Sequence, residues 1–287
     1  MLSCIFVYLA FKLSSIGWGN ILHSLPTSPL FYALSIVFVF LPIITERIAF
    51  KFAAEGKPAP PFRMFIRKHV INKAVMNYAG EGYFVKQLSN LDAFDLRGAA
   101  ILIKNLTLAR TFAANFWIIL LVLAALMFGN AGVFHKMMLV SPVLVIAVSI
   151  ICVGVCIGAA LFFQRLTRLD LNVAVKMTSF YLLRSFLAAC VLIVQWSIVI
   201  PGASLSQWLL FLTVFFIAKK SPSGGDLVFV SVALTLPGLE GESAAVAAML
   251  LMNAAVLQVL YSLGFVFTSE FSAKKDPAIL KQASNIN

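Results

Sequence analysis

Two short segments of this chain combine glycines with a single carboxylate, each where an apolar stretch is interrupted. Asn77 to Phe84 reads NYAGEGYF, so Glu81 stands between Gly80 and Gly82. Ser221 to Asp226 reads SPSGGD, so Asp226 follows Gly224 and Gly225. Glycine lets the backbone turn sharply, and a carboxylate among apolar residues is costly unless it faces water, a cation or a polar ligand. Arg184 is a third charge in apolar surroundings, seven residues past Met177, or roughly 10 Å along a helix. A guanidinium in such a place suits a phosphate or a charged headgroup, and half-helix N-termini next to glycine turns present positive dipole ends to the same ligands. The structural alternatives are an interfacial turn around a solvated Glu81, two unrelated glycine turns, and an Arg184 whose long stem reaches back to the interface. If the motifs meet, Glu81 and Asp226 line one polar cavity with Arg184 or Lys86 beside them. Asn77, Gly80, Gly224 and Gly225 then complete the substrate-binding set.

The rest of the chain indicates what must position these residues. Of 287 residues 61% are hydrophobic and 11% charged, with 26 Phe, and the mean hydropathy is +0.98. Soluble domains carry about a quarter charged residues, so the composition is that of a polytopic integral membrane protein. The net charge of +11 fits cytoplasmic loops held against anionic headgroups rather than a nucleic-acid partner.

Length and apolarity mark spans at Pro29 to Thr45, Thr111 to Gly129, Met137 to Phe163, Met177 to Ile200 and Ser243 to Phe267. Leu205 to Ala218 and Leu227 to Pro237 are too short to span. With KKSPSGGD between them, residues 205–238 read as a re-entrant hairpin or a broken helix. Residues 46–110 hold 11 of the 22 Lys and Arg, interleaved with Phe, Ile, Met and Leu, the pattern of helices lying in the interface or dipping into it. The break GKPAPP, Gly56 to Pro61, lies within them. Met1 to Phe11 is apolar from its first residue but reaches only about 17 Å, which predicts either a partial helix or a start further upstream. The bias of Lys and Arg places 46–110 and the short tail 268–287 in the cytoplasm, with both termini inside and the acidic PGLEGES outside. The expected fold is therefore a single all-α membrane domain, 1–287. It has about six spans plus re-entrant pieces, and the two glycine–acid motifs suggest an inverted repeat.

Other chemistry is absent from the sequence pattern. It contains no P-loop, HExxH or GxSxG, and His23, His69 and His135 are scattered. Cys4, Cys152, Cys156 and Cys190 lie in apolar segments without ligand partners and read as small hydrophobes. No metal or cofactor is expected. Asn105-Leu106-Thr107 fits a glycosylation sequon but falls on the cytoplasmic side. Asn115, Gln195, Asn253 and Gln258 are polar residues inside spans, with helix–helix hydrogen bonding as their default role.

Three stretches together resemble the lysylphosphatidylglycerol synthase transmembrane region, the flippase-like domain family: Gly17-Trp18-Gly19-Asn20-Ile21-Leu22, Asn77 to Glu81, and Ile217 to Gly238. The second lacks the family's proline. In the third, Asp226 replaces the usual Glu and the G-x-G spacing is compressed to Gly224-Gly225. The resemblance implies a multi-pass cell-membrane protein that binds and translocates an anionic or glycosylated lipid. Some members carry an aminoacyl-transferase domain, and only twenty residues follow Phe267 here, so lysyl transfer by these residues is not expected. Two alternatives stay open. One is a non-transporting partner subunit of a membrane glycosyltransferase or lipid synthase. The other is a membrane enzyme that uses Glu81 and Asp226 as acid and base on a lipid headgroup.

Overall fold

The computed structural model describes residues 2–54, 56–74, 78–91, 93–128, 171–220, 225–234 and 242–273. Its described elements are all helices: α1 (Leu2–Ile16), α2 (Trp18–His23), α3 (Pro29–Ala53), α4 (Phe62–Ala74), α5 (Ala79–Ser89), α6 (Leu96–Phe128), α7 (Leu171–Val199), α8 (Leu205–Ala218), α9 (Gly225–Ala233) and α10 (Ser243–Ala273). Four stretches within them are long and apolar enough to cross a membrane: Pro29–Ala53, Leu96–Ala125, Asn172–Val199 and Ser243–Thr268. The expected span at Met137 to Phe163 lies outside the described residues.

The helix expected from Met177 opens six residues earlier and the one expected to end at Phe267 runs on to Ala273, and two boundaries differ more from the hydropathy reading. The helix expected to close at Thr45 runs on to Ala53, and the one expected to open at Thr111 begins at Leu96. Both extensions are amphipathic. In α6, Ala99, Leu102, Ile103, Leu106, Ala109 and Ala113 are buried at helical spacing, while Arg97 and Lys104 stay exposed, so tertiary packing carries the helix past its uncharged window. Residues 46–110 are thus the ends of two long helices with α4 and α5 between them.

Helix α3 packs most extensively on α7, α6 lies against α7 and α8, and α4 sits between α5 and α10. Two apolar cores result. One joins α1–α3 and α6–α10 around Trp196, with Phe229 stacked on its ring and Phe211 and Phe215 edge-on to it. The other joins α3–α7 around Phe50, Phe65 and Phe84. Large apolar side chains also face outward along the long helices, among them Ile36, Val37, Leu120, Phe186, Val194, Val259 and Val266. That outer belt is what a bilayer would cover.

Short helices α8 and α9 pack on one another through Phe229, whose ring centroid lies 5.2 Å from Phe211 and 5.0 Å from Phe215. A capping box opens α8: Ser204 Oγ accepts from the Gln207 amide while Gln207 Oε1 accepts from the Ser204 amide. A buried polar node ties α3, α7 and α10. Gln195 Nε2 donates to Ser35 Oγ at 2.6 Å and to the Phe31 carbonyl at 3.1 Å, and Ser35 Oγ lies 3.4 Å from Asn253 Oδ1. Gln195 and Asn253 therefore bridge helices as expected of such residues, whereas Asn115 and Gln258 are exposed. Asn105 of the sequon is buried in α6.

Candidate functional site

The uncharged windows of three long helices end on a charge. Residues 29–45 precede Glu46, residues 111–128 follow Arg110, and residues 185–199 follow Arg184. These windows hold 17, 18 and 15 residues, or about 23–27 Å of helix. All three charges thus lie at a similar distance from the far ends of α3, α6 and α7. Between them stand α4, carrying Lys68, and α5, carrying Glu81.

These residues form a buried ion cluster. Lys68 Nζ donates a hydrogen bond to Glu46 Oε1 and lies 3.7 Å from Glu81 Oε1. Arg110 Nη2 donates to Glu81 Oε1 at 2.7 Å, and its Nη1 lies 3.9 Å from Glu46 Oε1. Each cation therefore touches both carboxylates. Only 1% of the Lys68 side chain is exposed, and its ammonium also sits 5.2 Å from the Phe84 ring centroid. Two charges of each sign cancel, which is the condition for keeping ions so deep. One oxygen is left over: Glu81 Oε2 is buried and accepts no hydrogen bond among the described residues. Burial works against ionisation of Glu81, but Arg110 and then Lys68 outweigh it and hold the carboxyl below its usual range. His69, one residue on, is held neutral, down to about 3, first by burial and then by Lys73.

Glycine explains how α5 delivers Glu81. Tyr78 enters the helix with φ 73, a left-handed conformation rare outside glycine. Two residues on, a Cβ at Gly80 would stand 2.1 Å from the Lys68 carbonyl oxygen and 2.8 Å from Asn72 Oδ1. The bare α-carbon is what lets α5 touch α4, and the Gly80 amide donates to Asn72 Oδ1 at 2.7 Å in that gap. Gly82 has open space around it, so only the first glycine of the motif serves close approach.

Beyond the cluster are cations that pair with no carboxylate among the described residues. The Arg184 guanidinium lies 5.3 Å from the Tyr181 ring centroid, one turn earlier on α7, and makes no ion pair among the described residues. The Tyr181 hydroxyl is fully buried and makes no hydrogen bond among them. At the end of α8, burial and then the like charges of Arg110 and Arg184 hold the Lys220 ammonium below its ordinary value. That coupling sets Lys220 near the Arg110–Arg184 layer.

Of the residues singled out from sequence, Glu81 stands inside the cluster and Arg184 next to it. Gly80 is the helix contact itself. Lys86 is exposed on α5 and pairs with neither carboxylate; Lys68 of α4 occupies the place beside Glu81 instead. Gly225 opens α9. Asn77, Gly224 and the Asp226 side chain lie outside the described residues. Glu46, Lys68 and Arg110 did not emerge from the sequence as site residues. The available signal was an acid directly closing an uncharged window, in a chain with only 11 acids. Among the described residues no group of His, Cys, Asp and Glu has the arrangement of a metal site. Comparison with family models, with curated proteins and with solved structures finds no match to this chain.

Proposed function

We propose that this chain is a multi-pass cell-membrane protein that binds the anionic headgroup of a membrane lipid, or of a lipid-linked sugar, and moves it between leaflets. The observation that carries this reading is the charge layer. Three buried ions and the partly exposed Arg110 neutralise one another, while Arg184 and Lys220 add two cations that make no ion pair among the described residues. In a hydrocarbon layer of about 30 Å, windows of 15 to 18 uncharged residues put Arg110 and Arg184 at one edge of the apolar slab. A phosphate arriving there meets two guanidiniums, which bind phosphate as planar forks.

The cluster also offers a way to let the headgroup pass. Arg110 is shared between Glu46 and Glu81. An incoming phosphate competes with both carboxylates for that guanidinium, and once Arg110 withdraws, Glu81 Oε2, which has no hydrogen-bond partner among the described residues, can take up a proton or a cation. Exchange between two discrete pairings is the kind of bistable element that supports switching. On this reading α8 and α9 form a re-entrant hairpin, with Lys220 just past the end of α8 near the same layer. The resemblance to the flippase-like domain family points the same way, as does the Lys and Arg bias that puts both termini in the cytoplasm.

The test is transport by the purified full-length protein in proteoliposomes containing fluorescent phosphatidylglycerol or phosphatidylcholine. Loss of signal after external dithionite reports which leaflet holds the probe. Movement of the anionic probe beyond protein-free vesicles, abolished by Arg184→Gln with folding retained, is expected. Equal movement by wild type and R184Q, or none above empty vesicles, would overturn the reading.

A further inference from the structure

The basic residues of α4 divide between two faces. Phe65, Lys68 and Asn72 turn toward the ion cluster and Gly80, whereas Arg63 and Arg67, one turn apart, turn away from it. On that second face α4, α5 and the end of α10 enclose a recess of about 170 Å³. Its polar lining comes from Arg63, Arg67, Tyr83, Gln87, Asn90 and Thr268. Among the described residues no carboxylate lines it, and no residue of the ion cluster does either.

The recess is preorganised for an anion. The Arg67 guanidinium rests on the Tyr83 ring, 5.3 Å from its centroid, and its Nε is buried without a hydrogen-bond partner among the described residues. Neither Arg63 nor Arg67 makes an ion pair among the described residues, so two positive charges border the recess with no described carboxylate beside them. Burial pushes the Tyr83 phenol up against the opposing pull of Arg67 and Arg63, which keeps it a neutral O–H donor. Thr268 Oγ donates to the Gly264 carbonyl at 2.7 Å, which holds the floor of the recess on α10. The size matches the chemistry, because a cavity of about 150 Å³ takes a benzene-sized guest.

We propose that this recess is a second anion site, which binds a phosphate group through Arg63 and Arg67 with the phenol of Tyr83 and the amides of Gln87 and Asn90 completing its oxygens. A tetrahedral oxyanion bearing up to two charges uses two guanidinium forks and several neutral donors, more than a single carboxylate can occupy. The phosphate is either the terminal group of a lipid whose chains lie along α10 or a soluble phosphate ester entering past the exposed Arg63 and Asn90. The site does not depend on lipid movement or on Arg184.

Binding is read on the full-length protein in two arms. In detergent, inorganic phosphate is titrated and thermal unfolding followed. In phosphatidylcholine nanodiscs, the same unfolding is followed with and without phosphatidic acid. Stabilisation in either arm, weakened about tenfold or more in apparent affinity by Arg67→Gln and by Arg63→Gln and largely kept by Arg67→Lys, is expected. Stabilisation by phosphate alone marks a soluble ligand, and stabilisation only by phosphatidic acid marks a lipid headgroup. Lys86→Gln, an exposed cation of α5 outside the recess, is expected to bind as wild type. No stabilisation in either arm overturns the proposal, and so does equal weakening by R67Q, R63Q and K86Q, which would show diffuse charge rather than a site.

Discussion

Glu46→Gln removes one charge from the buried cluster at nearly constant volume. In the native cluster Lys68 and Arg110 each touch two carboxylates, and the charges sum to zero. After the change, Lys68 and the partly exposed Arg110 share Glu81 alone, and the 1% exposed Lys68 side chain has no route to water. Removing one partner of a buried pair typically costs 3–5 kcal/mol, because the other charge is left uncompensated. The Glu81 contact at 3.7 Å supplies part of the lost attraction, so a loss of about 3 kcal/mol is expected for E46Q. Thermal unfolding of the purified protein in mild detergent, followed by Trp fluorescence, measures it. Pairing the substitution with Lys68→Met restores neutrality and is expected to recover at least half of the loss. Coupling between contacting residues of this kind runs to about 0.5–3 kcal/mol. A loss for E46Q below about 1 kcal/mol, the range of an exposed pair, would contradict a buried and mutually dependent cluster. Strict additivity of E46Q and K68M would contradict it equally.

Other expectations follow from the same geometry. Gly80→Ala places a methyl 2.1 Å from the Lys68 carbonyl oxygen and is expected to cut the yield of folded protein sharply, as measured by monodisperse gel-filtration recovery. Gly82→Ala, with open space around it, is expected to be neutral or to stabilise by about 0.5–1 kcal/mol. Acidification is expected to destabilise the protein in two windows. The unfolded chain protonates His69 near 6.5 and the folded one only at about 3, so stability falls as pH drops between those values. The Glu81 carboxyl is depressed below 4.5, so its contribution is present above 4.5 and is lost as pH falls through the lower folded value. A melting temperature that does not change from pH 7 to pH 4 would refute this; His69→Gln should flatten the upper window alone. Reporter fusions at Glu55 and Asn172 are expected to read cytoplasmic and those at Asn130 and Leu239 external, with a cytoplasmic signal at Leu239 sinking the hairpin arrangement.

The long helices were legible in the sequence because about 17 or more uncharged apolar residues leave few alternatives to a span. The two candidates Glu81 and Arg184 were legible because a lone charge in apolar surroundings demands a partner. The partners themselves were not. Glu46 and Arg110 each border an uncharged window, so hydropathy treats them as the edges of a loop, and only the packing of α3 against α6 through α4 and α5 turns two edges into one layer. Lys86 is near Glu81 in sequence, yet five residues along α5 carry it to the exposed face. Lys68 reaches Glu81 because Gly80 lets α5 lie on α4, a tertiary contact with no local signal beyond the glycine. The pairing of Glu81 with Asp226 in one cavity falls partly on residues the structure does not describe, and Lys220, just past α8, is coupled to the layer.

The most direct measurement is native mass spectrometry of the full-length protein released from detergent, with lipids identified in the complex. Headgroup recognition at the charge layer predicts that anionic phospholipid or lipid-linked sugar phosphate is retained by wild type and lost from Arg184→Gln, while phosphatidylcholine is retained by neither. Retention of the same anionic lipid by R184Q and by R184Q/K220Q, at wild-type occupancy, would contradict it.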